Sequence, residues 1–141
     1  MEPIILDEFS SDRIFRMTDY RIGLHHLLLR SRIGIGGEQN VDLIFAGIEY
    51  LELPLLLHGI RISRSQDDRA ISLEQRAAVD THYGERMFVL ESGGRDFYIV
   101  ASAHWILINT LIGSSLVPMC DQEASWEEFY RDHVKEFYQL R

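Results

Sequence analysis

Apolar runs in the first half of the chain predict extended strands. Residues 20–30, YRIGLHHLLLR, begin with alternation and become apolar on both faces, which is typical of a strand that enters a covered sheet. A helix is the alternative for this run. Residues 31–40 contain three glycines and predict a loop, and residues 41–53, VDLIFAGIEYLEL, form a second extended run. The two runs together predict a long hairpin.

The strand pattern continues as a meander. Pro54 interrupts it, because proline has no amide donor for a central ladder, and a shorter alternating run follows over residues 59–63. The segment 86–102, RMFVLE-SGGRD-FYIVAS, is the clearest hairpin in the sequence, since Gly93 and Gly94 supply the positive φ of a tight turn.

Two segments are ambiguous. The apolar run 104–113 predicts either a continuation of the preceding strand or a helix. Residues 64–85 are polar, and Ser72 with Gln75 matches a helix-capping pattern that Gly84 would end; a mobile loop is the alternative.

The C-terminal pattern predicts an amphipathic helix over residues 125–138. Ser125 and Glu128 form a capping box. The apolar positions that follow have helical spacing, namely Trp126, Phe129, Tyr130, His133, Val134, Phe137 and Tyr138. Strands followed by a terminal helix predict an α+β fold, in which the helix packs on a curved, mainly antiparallel sheet of hairpins. We expect a single domain, residues 1–141.

Composition and charge narrow the class of protein. The 141 residues are 46% hydrophobic and 26% charged, which excludes collagenous, low-complexity and wholly disordered chains. The net charge is -8, and residues 1–12 carry four acidic side chains and no basic one. Because an acidic surface repels phosphates and anionic headgroups, we expect no nucleic-acid or membrane partner, whereas a basic protein partner is compatible.

The cysteine count and the N-terminus predict a cytoplasmic location. Cys120 is the one cysteine of the sequence and has no partner for an intramolecular disulfide. The first residues, MEPIILDEFSSD, lack the basic region and the cleavage site of a secretory signal. The most apolar stretch, residues 97–112, is too short to span a bilayer.

The sequence holds no motif for metal, cofactor or nucleophilic chemistry. Its six histidines include no pair four residues apart and no His-x-His, which predicts the absence of a zinc site. No nucleophile elbow or dinucleotide fingerprint occurs, so we assign no catalytic residue and no cofactor. His25 and His26 are neighbours in a predicted strand, and their side chains are expected on opposite faces.

Two carboxylates lie within the predicted strands. Asp42 and Glu49 have apolar neighbours and must face water or be paired. Asp42 is expected to pair with Arg30 across the hairpin. Glu49 precedes the Pro54 bend, and bends and bulges often border a cleft.

Two hypotheses for function follow. The first is a non-catalytic, bacterial-type interaction domain, of adaptor, inhibitor or immunity type, that binds a basic partner protein and forms a homo-oligomer. The alternative is a small-ligand pocket or an enzyme between the curved sheet and the C-terminal helix. Its predicted polar groups are His25 or His26, Glu49 and His104.

Overall fold

The described part of the chain is all sheet, and the predicted α+β fold class is therefore wrong for it. The computed structural model describes residues 2–21, 23, 25–32, 38–65, 87–110 and 133–141. Strands make up 80% of these residues, and none of them lies in a helix. The strands are β1 (Ile4–Leu6), β2 (Glu8–Arg21), β3 (His26–Ser31), β4 (Asn40–Leu51), β5 (Leu56–Arg64), β6 (Met87–Ser92), β7 (Arg95–Asn109) and β8 (Val134–Leu140).

The sheet closes on itself. Its strand order is β1-β8-β7-β4-β3-β2-β5-β6, and β6 also pairs with β7. The pairing of β6 with β7 closes six strands, β7-β4-β3-β2-β5-β6, into a barrel. Strands β8 and β1 extend the sheet from β7. All the neighbouring strands are antiparallel except β1 and β8, which are parallel.

Two long strands make the closure possible. The first part of β2 pairs with β5 and its last part pairs with β3, with Arg16 at the changeover. Likewise β7 pairs with β6 near its start and with β8 near its end, while β4 lies along its other edge. Each long strand therefore belongs to two parts of the sheet, which bends it around one interior.

Alternate side chains of the strands fill the barrel interior. On β3, Leu27 and Leu29 face inward, and Leu28 between them faces outward. The largest buried side chains of the interior include three phenylalanines, Phe15, Phe45 and Phe88. The rings of Phe45 and Phe88 meet edge to face with their centroids 5.6 Å apart, as aromatic pairs in a packed core prefer.

Part of the outer face of β3, β4, β7 and β8 is also buried. Leu28, Ile44, Leu107 and Val134 form a second apolar cluster there, against which Trp105 and Phe137 pack. A strand that is covered on both faces carries a continuous apolar run in place of alternation. This explains the runs HLLLR, at the start of β3, and VDLIFAG, in β4, of the sequence.

The predicted C-terminal helix is wrong from Val134 onward, where the chain forms strand β8. Its residues 125–132 lie outside the described part of the chain. Phe137 packs on the outer cluster, and Tyr138 and Leu140 contact the interior. Strand β8 carries apolar side chains on both faces, and its pairing with β7 shifts register between Ile108 and Asn109. Together these features gave the segment an apolar spacing like that of an amphipathic helix.

Other predicted elements have different outcomes. The hairpin around Gly93 and Gly94 is confirmed, with φ of 59° and 75° at the two turn residues. The run 104–113 continues β7 as far as Asn109. The short helix predicted from Ser72 to Gly84 lies outside the described residues.

The acidic N-terminus forms strands that the sequence did not predict. Among the described strands, β1 pairs with β8 alone, so the first and last strands of the chain meet. Ile4 and Ile5 of β1 are 55% and 47% exposed. Exposed apolar residues on an edge strand favour association, and self-association stays a prediction.

The predicted pair of Arg30 and Asp42 is confirmed. The two residues lie opposite each other on β3 and β4. Arg30 donates from Nε to Asp42 Oδ1 at 2.6 Å and from Nη2 to Oδ2 at 2.8 Å, with 5% and 1% of the side chains exposed.

Two asparagines complete this buried polar network. Asn109 donates to Asp42 Oδ2 at 2.9 Å, and Asn40 donates to Asn109 Oδ1 at 3.0 Å. Three strands therefore share one set of buried hydrogen bonds, which fixes the register of β3, β4 and β7 against one-residue slips.

Candidate functional site

Regular strand geometry breaks down at the end of the barrel where β3 begins. His25 precedes β3 and has a φ of 52°, a left-handed conformation that non-glycine residues seldom adopt. Its carbonyl accepts the amide of Ile48 at 3.2 Å. The prediction that His25 and His26 are successive strand residues is therefore wrong, because β2 ends at Arg21 and His25 lies in the turn.

Strand β4 is irregular at the same place. Gly47 has a φ of 62°, and the pairing with β7 shifts register between Ile48 and Tyr50. The shift leaves Glu49 outside the regular ladder and re-aims the side chains on both sides of it.

These irregularities border an open cleft of about 600 Å³. Its described lining residues are Tyr20, His25, Gly47, Ile48, Glu49, Tyr50, Leu51 and Ser102. Glu49 is the one acidic side chain among them, and none of them is lysine or arginine. The cleft thus combines a carboxylate with two tyrosine rings.

Glycine is required at position 47 for space as well as for φ. A Cβ atom built there would lie 1.8 Å from Ser102 Oγ and 3.1 Å from Ser102 Cβ. Ser102 occupies that space and donates from its hydroxyl to the carbonyl of Ala46 at 3.2 Å. The lining of the cleft therefore includes a close contact between β4 and β7.

The substitution Gly47→Ala is expected to destabilise the protein by more than the roughly 1–2 kcal/mol that a left-handed φ alone costs a residue with a Cβ. The excess comes from the contact with Ser102. Gly93→Ala is the matched control, because Gly93 has a φ of 59° and open space around its Cβ position. Denaturant unfolding of both variants measures the difference, and equal losses would show that Ser102 moves aside freely.

Tyr50 is held from two sides. Its ring packs on the cluster of Met87, Tyr98 and Val100, and its hydroxyl donates to Glu52 Oε2 at 2.8 Å. An aromatic side chain that is fixed in this way presents a defined surface to the cleft.

His26 and His104 do not line the cleft. His26 is the first residue of β3 and is half-buried, and burial, followed by the positive charges of Arg21 and His25, lowers its pKa. His26 is next to His25 in the sequence but is not among the described lining residues of the cleft.

His104 lies inside the barrel. Its ring centroid is 4.6 Å from that of Phe88, and its Nε2 accepts the backbone amide of Leu140 at 2.8 Å. Burial, and then the charge of Arg64, lower its pKa to about 4. The imidazole is neutral at pH 7 and acts as a structural acceptor for β8.

The predicted site residues are thus divided, with His25 and Glu49 in one cleft and the other two outside it. Whether they bind a ligand stays a prediction. The predicted position of the pocket, between the sheet and a C-terminal helix, is wrong where β8 replaces that helix.

Sequence reasoning missed Tyr20, Gly47 and Ser102. For Gly47 a signal was present, because a lone glycine inside an apolar strand run indicates a bulge or a close backbone approach. Tyr20 and Ser102 are brought to the cleft by β2 and β7, and no local pattern identifies them.

The described residues lack two further features. Within this part of the chain, no three His, Cys, Asp or Glu side chains are arranged to hold a metal ion. None of its elements is a helix of the length and apolarity needed to cross a membrane.

Comparison of the chain with models of protein families, with curated proteins and with solved structures finds no match.

Proposed function

We propose that this protein is a cytoplasmic, non-catalytic interaction domain that binds a basic partner protein through the cleft beside Glu49. One observation carries the proposal: the left-handed His25, the left-handed Gly47 and the register shift at Glu49 all converge on this cleft. Left-handed non-glycine residues such as His25 and bulges concentrate at binding sites, where the surrounding fold compensates for their cost, whereas Gly47 adopts its φ without strain.

The polar groups of the cleft favour binding over catalysis. A nucleophilic mechanism needs a hydroxyl hydrogen-bonded to a base. The Ser102 hydroxyl donates instead to the carbonyl of Ala46. His104, whose pKa is lowered more than that of any other described histidine, is committed to β8 inside the barrel. The described lining therefore contributes one carboxylate, one histidine and aromatic surface, which suits recognition of a partner.

Charge favours a basic partner. The chain has a net charge of -8, and Glu49 is exposed at the cleft without an arginine or lysine among the described lining residues. Complementary charge raises the rate of encounter between two proteins and selects against partners of like charge.

The proposal is tested by filling the cleft. Ser102 is exposed and lines it, so Ser102→Tyr should occupy the cleft without entering the core. Ser10→Tyr is the matched control on the exposed outer side of β2. We expect wild-type protein and Ser10→Tyr to retain the same partner from native lysate, and Ser102→Tyr to lose it while remaining folded. Retention of that partner by a folded Ser102→Tyr would contradict the proposal.

A further inference from the structure

Resting on the proposed function, we infer that the cleft recognises an arginine side chain of the partner, with Glu49 as the ion-pair acceptor and Tyr20 and Tyr50 as stacking surfaces. The inference joins three features of the described residues: a single carboxylate, two tyrosines and an open mouth.

The electrostatics of the cleft favour a cation. Glu49 is the one acidic residue among its described lining residues, and Glu52 lies at its border, because Tyr50 Oη donates to Glu52 Oε2 at 2.8 Å. The described lining adds no arginine or lysine to offset this charge. An anionic ligand would meet two carboxylates, whereas a cationic group meets two carboxylates and the negative faces of tyrosine rings.

The geometry favours arginine over lysine. A guanidinium group is planar, stacks on aromatic rings and pairs with a carboxylate through two parallel hydrogen bonds. Lysine offers a compact, strongly hydrated charge with no plane to stack. Tyr50, which is packed on Met87 and Tyr98, supplies an immobile ring, and Tyr20 is 38% exposed beside the cleft.

The shape of the cleft fits a side chain better than a buried small molecule. Its volume of about 600 Å³ is open to solvent, and Gly47 and Ser102 are in close contact within its lining. A long side chain can place its head group at Glu49 while the backbone that carries it stays outside. A protein segment is therefore the source of the cation.

The experiment uses a blocked pentapeptide, acetyl-GRGRG-amide, titrated into the full-length protein and followed by backbone amide NMR. We expect shifts centred on Gly47, Ile48 and Glu49, and an affinity about tenfold lower for the same peptide with citrulline in place of arginine, since citrulline is a neutral isostere. The lysine peptide should bind more weakly than the arginine peptide.

Protein variants separate the local carboxylate from net charge. Glu49→Gln should weaken binding of the arginine peptide about tenfold. Glu8→Gln makes the same change of charge near the opposite end of β2 from Tyr20 and should leave the affinity within about twofold, because exposed charges at long range are screened. Both substitutions are at exposed positions and should leave the fold intact.

Two results would overturn the inference: equal affinity of the citrulline and arginine peptides, or unchanged affinity in Glu49→Gln. Its failure is distinct from failure of the proposed function. Loss of the partner in Ser102→Tyr together with no binding of the arginine peptide would remove arginine recognition alone.

Discussion

Replacing Asp42 with alanine is expected to destabilise the protein by roughly 3 to 5 kcal/mol, the largest loss that we predict for a single substitution. The reason is the guanidinium of Arg30, which is 5% exposed and would keep its charge without the carboxylate that it contacts through two hydrogen bonds. Asn109 would also lose its acceptor at 2.9 Å. A buried charge without a counter-charge costs more than the pair contributes when intact.

A double-mutant cycle measures how strongly the two residues are coupled. Arg30→Ala should cost about as much as Asp42→Ala, and the double variant should cost much less than the sum, because it leaves neither charge alone. Denaturant unfolding at pH 7 gives the three free energies. Additive losses would mean that each side chain is stabilised by other groups and that the pair does not fix the register.

The pair of Arg61 and Glu91 is a matched comparison within the same protein. It also lies directly across two antiparallel strands and has an N–O distance of 2.6 Å, but its side chains are 53% and 44% exposed. Water screens an exposed pair and competes for its hydrogen bonds. The cycle on Arg61 and Glu91 should therefore give a coupling that is a small fraction of the buried one.

The hairpin register could be predicted because its cause is local. Arg30 and Asp42 flank one loop, and a buried charge on an apolar strand needs a partner across that loop. The hairpin at Gly93 and Gly94 is equally local, since the turn itself demands positive φ.

The C-terminal strand could not be predicted in this way. Strand β8 exists because β7 and β1 accept its backbone on its two edges, and β1 lies more than a hundred residues earlier in the chain. Local spacing cannot represent such pairing. It was misleading as well, because Phe137 and Tyr138 are half-buried on different faces of the sheet and their spacing matches a helical stripe.

Half of the candidate site could be predicted from the sequence because its cause is also local. Glu49 was predicted beside a cleft from its place near a bend within an apolar run, and it lies at a register shift. The prediction that His104 lies near Glu49 was wrong, because the polarity of a histidine does not indicate which face of a closed sheet its side chain occupies. The His104 ring accepts the amide of Leu140, which lies on β8, a strand that overlaps the helix predicted for residues 125–138.

His104 makes stability depend on pH between about 4 and 6.5. Its pKa in the folded protein is about 4, lowered by burial and by Arg64 from an ordinary value of 6.5. As the pH falls below 6.5, His104 of the unfolded chain becomes protonated. In the folded protein the same residue stays neutral until about pH 4. Acid therefore favours unfolding, and the loss at the lower limit is about 3 kcal/mol.

The variant His104→Gln isolates this contribution. Glutamine does not titrate, and its carbonyl oxygen can accept the amide of Leu140 in place of Nε2. Its baseline stability should be lower, because the contact with the Phe88 ring is lost, but its free energy of unfolding should fall less steeply between pH 6.5 and 4 than that of wild type. His58→Gln is the control variant, because it makes the same chemical change at an exposed position.

The informative quantity is the difference in stability between wild type and His104→Gln as a function of pH. Titration of other groups, including His26, whose pKa is also lowered by burial, occurs in both proteins and cancels in that difference. The difference should shrink by about 3 kcal/mol from pH 7 to pH 4. A difference that stays constant, or an NMR titration of His104 with a midpoint near 6.5, would mean that the imidazole takes up its proton inside the fold. In that case the Leu140 amide would have lost its acceptor, and β8 would have to be held to the barrel by its pairing with β7 and β1 alone.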